Sequence, residues 1–262
     1  MYRLVFFKLI LISLLCFKSS LLSSQCKPYD SLEAEKRKGF VLFSIGSSDP
    51  TGRLGNKTPS DKNAGLAMSG INARLTAGYR IKPNYGIIGI SEIQDFPIDI
   101  QELADYTANQ HPGMNVKVES FKGWSMNNLM AGFYGHFPIS DDKRFIVEPK
   151  ALFGLSIASS PQYKNTIYYL SNGYTKSTYY EQETSVSYLA GVYCIGGGLK
   201  YNFCKRLTVS GSVDYVATVG EHEFSGVRIE YNTGEWETRN LHMRFSSICV
   251  TAGFGFRFGN FN

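Results

Sequence analysis

Apolar and polar residues alternate with a period of two along most of this chain, and the alternation is cleanest towards its carboxy-terminal end. In Ser246 to Phe258, SSICVTAGFGFRF, one parity collects Ile248, Val250, Ala252, Phe254, Phe256 and Phe258, and the other Cys249, Thr251, Gly253, Gly255 and Arg257. That period belongs to a β-strand with two unlike faces. Leu66 to Ile81 repeats it, with Ile71, Ala73, Leu75, Ala77, Tyr79 and Ile81 opposite Asn72, Arg74, Thr76, Gly78 and Arg80. In Phe145 to Ala158, Phe145, Val147, Ala151, Phe153, Leu155 and Ile157 oppose Glu148, Lys150, Gly154 and Ser156. In Leu207 to Val219, Leu207, Val209, Val213, Tyr215, Ala217 and Val219 oppose Thr208, Ser210, Ser212, Asp214 and Thr218. Ser185 to Phe203 places Tyr188, Ala190 and Val192 together, then a Gly196-Gly197-Gly198 run where the parity can shift, then Leu199, Tyr201 and Phe203.

With Phe40 to Ser48, Tyr85 to Ile93 and Trp124 to Phe137, these stretches make eight expected strands. Their connections alternate in length. Lys82-Pro83-Asn84, Ser140-Asp141-Asp142-Lys143 and Cys204-Lys205-Arg206 are tight turns, whereas the connections after strands one, three, five and seven are long and polar. One of these, Gln94 to Gly123, has a short helix expected around Ile100 to Asn109. All tight turns therefore lie at one end and all long loops at the other. An up-and-down antiparallel barrel in a membrane has this asymmetry, an even strand number, an apolar exterior and a polar interior. A lipocalin-like barrel reverses the two faces. The interior-side parity here collects Arg74, Arg80, Glu148, Lys150, Lys200, Asp214 and Arg257, which would be costly in a soluble apolar core. The expected fold is all-β, an eight-stranded transmembrane barrel with short periplasmic turns and long extracellular loops.

Composition narrows the rest. The 262 residues are 43% hydrophobic and 19% charged, and the formal charge of +5 is scattered, which argues against nucleic acid as a partner. Arg3 and Lys8 precede an apolar run from Leu9 to Phe17, then a small polar stretch to Gln25, as in a secretory signal peptide. The expected division is 1–25 signal peptide, 26–38 periplasmic lead-in and 39–262 barrel. Outside the signal the cysteines are Cys26, Cys194, Cys204 and Cys249, with no CxxC pair and no metal-ligand spacing. Cys194 and Cys249 read as packing residues. Cys26 is open to lipidation, although Gln25 is not the small residue such a site wants, and to a disulfide with Cys204.

With this pattern, the chain resembles the small outer-membrane β-barrel family of Gram-negative envelopes, the group that includes the OmpA membrane domain and OmpX-like proteins. The resemblance spans about Gly39 to Phe258 and rests on the signal segment, the hairpin asymmetry and the terminal GFGFRF strand. It implies residence in the outer membrane and assembly through the last strand by barrel-assembly machinery, with Phe258 or Phe261 as the terminal aromatic. The chain departs from the family by adding Gly259-Asn260-Phe261-Asn262 and by carrying Pro149 inside a strand, where a bulge is expected.

An eight-stranded barrel is just wide enough to be filled by side chains, so the seven interior charges are expected to pair across the lumen. Tyr79, Tyr85, Phe137, Phe145, Tyr201, Phe203 and Phe258 adjoin the tight turns as an interfacial girdle, with Trp124 and Tyr188 near the opposite rim. His222 between Glu221 and Glu223, with Ser225, His242 and His111, is the one imaginable catalytic or metal grouping, and no nucleophile motif or ligand spacing accompanies it. No enzyme activity, cofactor or metal is expected. Tyr163, Tyr168, Tyr169, Tyr174, Tyr179 and Tyr180 crowd one long loop, a composition suited equally to a protein or glycan partner and to strands that extend beyond the membrane as a Tyr- and Thr-rich hairpin. The expected role is structural or adhesive, with a small porin and a loop-sited enzyme as the alternatives.

Overall fold

The computed structural model describes residues 37–61, 63–171, 174–182, 186–231 and 236–259, and only the backbone for residues 170–182 and 225–241 within that set. The strands are β1 (Gly39–Pro50), β2 (Gly70–Lys82), β3 (Tyr85–Phe96), β4 (Asn115–Lys122), β5 (Trp124–Gly135), β6 (Phe137–Pro138) and β7 (Phe145–Ser159). They continue as β8 (Gln162–Ser171), β9 (Tyr174–Gln182), β10 (Ser187–Asn202), β11 (Leu207–Thr218), β12 (His222–Tyr231), β13 (Trp236–Met243) and β14 (Ser246–Phe258), with one helix, α1 (Ile100–Gln110).

The wall runs β10-β11-β14-β1-β2-β3-β5-β7, and β7 pairs back onto β10, so the sheet closes. The two-residue β6 prolongs the β5 edge along β7, which leaves eight wall strands, all antiparallel. The terminal strand is the seam: β14 pairs with β1 from Gly39↔Phe258 to Pro50↔Ser247 and with β11 from Leu207↔Phe256 to Ala217↔Ser246. Closure removes the free edges that an open sheet would expose.

The two parities separate cleanly. Phe43, Leu75, Leu129, Phe153, Val213 and Phe254 are exposed on the outside, while Arg74, Glu92, Lys200 and Asp214 are buried. Along β7 the outward residues from Phe145 to Ile157 are all uncharged, and at ~3.3 Å per residue with a ~40° tilt they cover roughly 30 Å of height. An exterior of that height and chemistry matches a hydrocarbon slab. Tyr79, Tyr85, Phe137, Phe145, Phe203 and Phe258 are exposed beside the tight turns, where an interfacial girdle belongs. Trp124 does not join a rim girdle. Its side chain is 2% exposed, and its indole N–H donates to the Gly65 carbonyl at 2.6 Å.

Two local expectations are corrected. The glycine run leaves the parity of β10 unchanged, because pairing with β7 and β11 passes through Gly196, Gly197 and Gly198 without a shift. Ala190, Val192 and Cys194 are accordingly inside, and Leu199 is outside. Pro149 produces no bulge: Tyr134↔Lys150 and Phe137↔Val147 share one register, and the ladder lapses between them. The missing N–H of the proline falls in that gap.

The long connections are more ordered than their composition implies. β4, the β8–β9 hairpin and the β12–β13 hairpin join in a second sheet of five strands, in the order β13-β12-β9-β8-β4. Under it, at the loop end of the barrel, lies a core of Leu54, Phe96, Trp124, Met126, Phe224 and Phe245. Trp124 meets Phe245 and Phe224 edge-on, at 5.4 and 5.9 Å between ring centroids. α1 starts at Asp99, whose side chain accepts from the Glu102 amide, and packs Leu103 with Leu66 and Ile98.

Candidate functional site

Inside the wall, alternation aims polar side chains of neighbouring strands at one another, and their charges meet in two groups. In the first, Arg74 on β2 donates from Nη2 and Nε to Glu92 Oε1 on β3 at 2.6 and 3.1 Å, and from Nη1 to Asp214 on β11. Lys150 on β7 reaches Asp214 Oδ2 at 2.9 Å. Asn72 and Asn128 donate to the two Glu92 oxygens at 2.6 and 3.0 Å. Two cations and two carboxylates cancel, as a low-dielectric interior demands. Gly196 makes this arrangement possible, since a β-carbon there would lie 2.1 Å from Asp214 Oδ1.

The second group lies nearer the tight turns. Lys200 Nζ contacts Glu148 Oε2 at 2.6 Å and sits 3.6 Å from the Phe40 ring centroid, and His136 Nδ1 is 3.3 Å from Glu148 Oε1. Arg80 and Arg257 are buried at the same mouth. Of the charges read from the sequence, Arg74, Arg80, Lys200, Asp214 and Arg257 are buried, and Lys150 and Glu148 are their ion-pair partners in these two groups. Glu92 and His136 were not among them, because Ile88 and Ile90 share the inward parity with Glu92 and hide the polar face of β3, and His136 falls where the ladder lapses. The cavity between Phe40, Arg74, Thr76, Tyr134 and Lys150 measures ≈ 30 Å³, room for about two water molecules.

The loop histidines do not converge. His111 caps the carboxy end of α1. His222 stacks on Tyr188 at 4.6 Å, and burial holds it below its ordinary pKa. In the β12–β13 ladder His222 opposes Met243 while His242 opposes Glu223, so the two imidazoles lie on opposite faces. Glu221 is engaged by Arg53 at 2.8 Å, which ties the first long loop to the last. The side chain of Ser225 lies outside the described residues. So do the side chains of the loop tyrosines Tyr174, Tyr179 and Tyr180, whereas Tyr163 packs against the Leu66, Ile98 and Leu103 cluster.

No protein-family model matches the chain, and no curated protein matches it. Solved structures do. Neisserial surface protein A is 13% identical, with 84% of this chain and 97% of that chain covered at a TM-score of 0.41. Ail, the attachment invasion locus protein of Yersinia pestis, is 14% identical over 84% of this chain and 99% of its own, at 0.38. A major outer membrane protein from Thermus thermophilus is 10% identical over 84% and 99%, at 0.44.

Proposed function

We propose that this protein is an outer-membrane barrel acting as a surface platform: its wall spans the lipid, its lumen is filled, and its folded extracellular sheet engages a protein or glycan partner. The observation that carries the reading is that the long hairpins pair into one five-stranded sheet above an aromatic roof. Loops that merely closed hairpins would gain nothing from that order, whereas a recognition surface loses less entropy on binding when it is preformed. Membrane residence is supported by the uncharged exterior of β7 and by the aromatic girdle, since in lipid only a helix or a closed barrel satisfies every backbone group. Assembly through β14 by barrel-assembly machinery belongs to the same reading.

A small channel is the second reading. Against it stand the neutral Arg74–Glu92–Asp214–Lys150 network, which crosses the lumen, and the Trp124, Phe224 and Phe245 roof at the outer mouth. An enzyme would need convergence that His111, His222 and His242 lack.

The test is replacement of Tyr163 to Thr184 by a tight turn, in cells that display the protein. This removes β8 and β9, the middle of the outer sheet. The barrel should still fractionate with the outer membrane, while binding to host cells, matrix or glycan arrays is lost. Binding that survives the replacement would overturn the proposal.

A further inference from the structure

The outer sheet ends in a strand with one open edge. β4 is its last member and pairs only with β8, so alternate residues turn their N–H and C=O groups away from β8. Among the described residues, no backbone bond leaves Asn115 to Phe121 on that side. α1 covers one face of β4: Val118 packs towards Leu66, Ile98 and Leu103, and Asn165, which opposes Val118, donates to the Thr107 hydroxyl at 2.8 Å. Lys117 and Glu119 share the other face, 2.8 Å apart and exposed. Edges protected against pairing carry proline, lysines or a bulge. β4, NVKVESFK, has no proline, sets Lys117 beside a carboxylate, and has its bulge at the wall end, after Ser120. We propose that this edge pairs with β4 of a second copy, antiparallel about a two-fold axis at Val118, and that the two copies stand in apposed membranes. The proposal rests on the platform reading above and deepens it by naming a protein partner.

Charge selects the register. Pairing about Val118 sets Lys117 of each copy opposite Glu119 of the other, on the face away from α1. Unlike charges directly opposite one another stabilise a cross-strand pair, and like charges destabilise it. A slip of one residue would put side chains of opposite faces against each other. A slip of two restores the faces but sets Lys117 opposite Lys117, or Glu119 opposite Glu119. The main-chain bonds of an added strand supply the affinity, and the side chains supply the specificity.

Strand direction places the second copy. Lys122↔Gln162 lies three residues beyond Ser125↔Ser159 on both strands, so one register carries from the β5–β7 wall hairpin through Gly123 into β4 and β8. β4 therefore leaves the wall as a continuation of β5. Two copies in one membrane are related by an axis along its normal, which leaves their β4 strands running the same way, with Lys117 level with its own counterpart. The antiparallel match needs a two-fold axis perpendicular to the strands, in the plane of the membrane, and that axis relates copies on facing bilayers. An isologous contact of this kind closes as a pair and does not propagate into fibres.

The experiment is clustering of phosphatidylcholine vesicles that carry the full-length protein, read as turbidity and, for mixtures, as energy transfer between two lipid dyes. Wild-type vesicles should cluster. Lys117→Glu vesicles and Glu119→Lys vesicles, each with like charges opposed, should fall to the protein-free background. A mixture of the two should cluster again, because each then meets its complement, and that recovery also shows that both variants are folded. Wild-type vesicles that stay dispersed, single variants that cluster as well as wild type, or a mixture that stays dispersed would overturn the proposal; the second result is the one that pairing through the other open edge, β13, would give. Dispersed wild-type vesicles, with matrix or glycan binding still dependent on Tyr163 to Thr184, would refute the pairing of copies and leave the platform reading standing.

Discussion

Replacing Arg74 by Met removes the cation at the centre of the lumen network while keeping most of its apolar length. In the native barrel Arg74 and Lys150 face Glu92 and Asp214, two charges of each sign. In Arg74→Met, Asp214 keeps Lys150 at 2.9 Å and Ser212 at 2.9 Å, and Glu92 keeps the amides of Asn72 and Asn128. The interior is left one negative charge in excess. Breaking one side of a buried pair costs ~3–5 kcal/mol, and the surviving donors place the expected loss near the lower end. Arg74→Met/Glu92→Gln restores neutrality, so the double variant should be more stable than Arg74→Met alone by about 1.5 kcal/mol or more. Urea unfolding of the vesicle-inserted barrel, followed by fluorescence of the buried Trp124 in a Trp236→Phe background, measures Arg74→Met, Glu92→Gln and the double variant. A double variant as unstable as the sum of the singles, or Arg74→Met indistinguishable from wild type, would refute the argument.

Val213 is 56% exposed on the outer wall, and Val213→Arg should hinder insertion by about 2–4 kcal/mol, read from the folded fraction after refolding into vesicles. Gly196→Ala brings a β-carbon against Asp214 Oδ1 and the Val213 carbonyl and should cost about 1–3 kcal/mol in the same unfolding assay. The Lys57 ammonium, then the Glu102 amide, hold the Asp99 carboxyl below its usual range. That contribution is fully present above the unfolded carboxylate value of ~3.9 and is lost as pH falls through the lower folded value. Amide exchange in the first turn of α1 should therefore accelerate, after correction for intrinsic rates, only in strongly acidic solution. Asp99→Ala, which removes the cap at a cost of about 1 kcal/mol, should accelerate it at neutral pH.

Where the two faces differ in chemistry, the strands could be read directly: β14, β2 and β7 show Phe, Ile and Leu against Gly, Thr and Arg, and their ends fall within a few residues of expectation. The inward isoleucines of β3 hid Glu92, because parity carries no signal when both faces are apolar. Leu66 reads as strand, yet it adopts a left-handed φ of 51° and packs with Ile98 and Leu103, so β2 starts at Gly70. A hairpin at β8–β9 could be read from its Tyr- and Thr-rich composition, but not its joining into a five-stranded outer sheet. Residues 174–182, YTKSTYYEQ, carry no apolar-polar alternation that marks a buried side, and the pairing of β9 with β12 joins segments far apart in sequence. Trp124 reads as a rim aromatic from its place at a strand end. Only the roof contributed by Phe224 and Phe245 explains its burial.

The central claim, a wall-spanning barrel with a filled and roofed lumen, is tested most directly by conductance of the purified protein in planar bilayers. The account predicts no steady current from the wild type, because the Arg74–Glu92–Asp214–Lys150 network and the Lys200–Glu148 pair occupy the interior. A stable, ion-selective channel whose selectivity changes in Glu148→Gln or Lys150→Gln would contradict it.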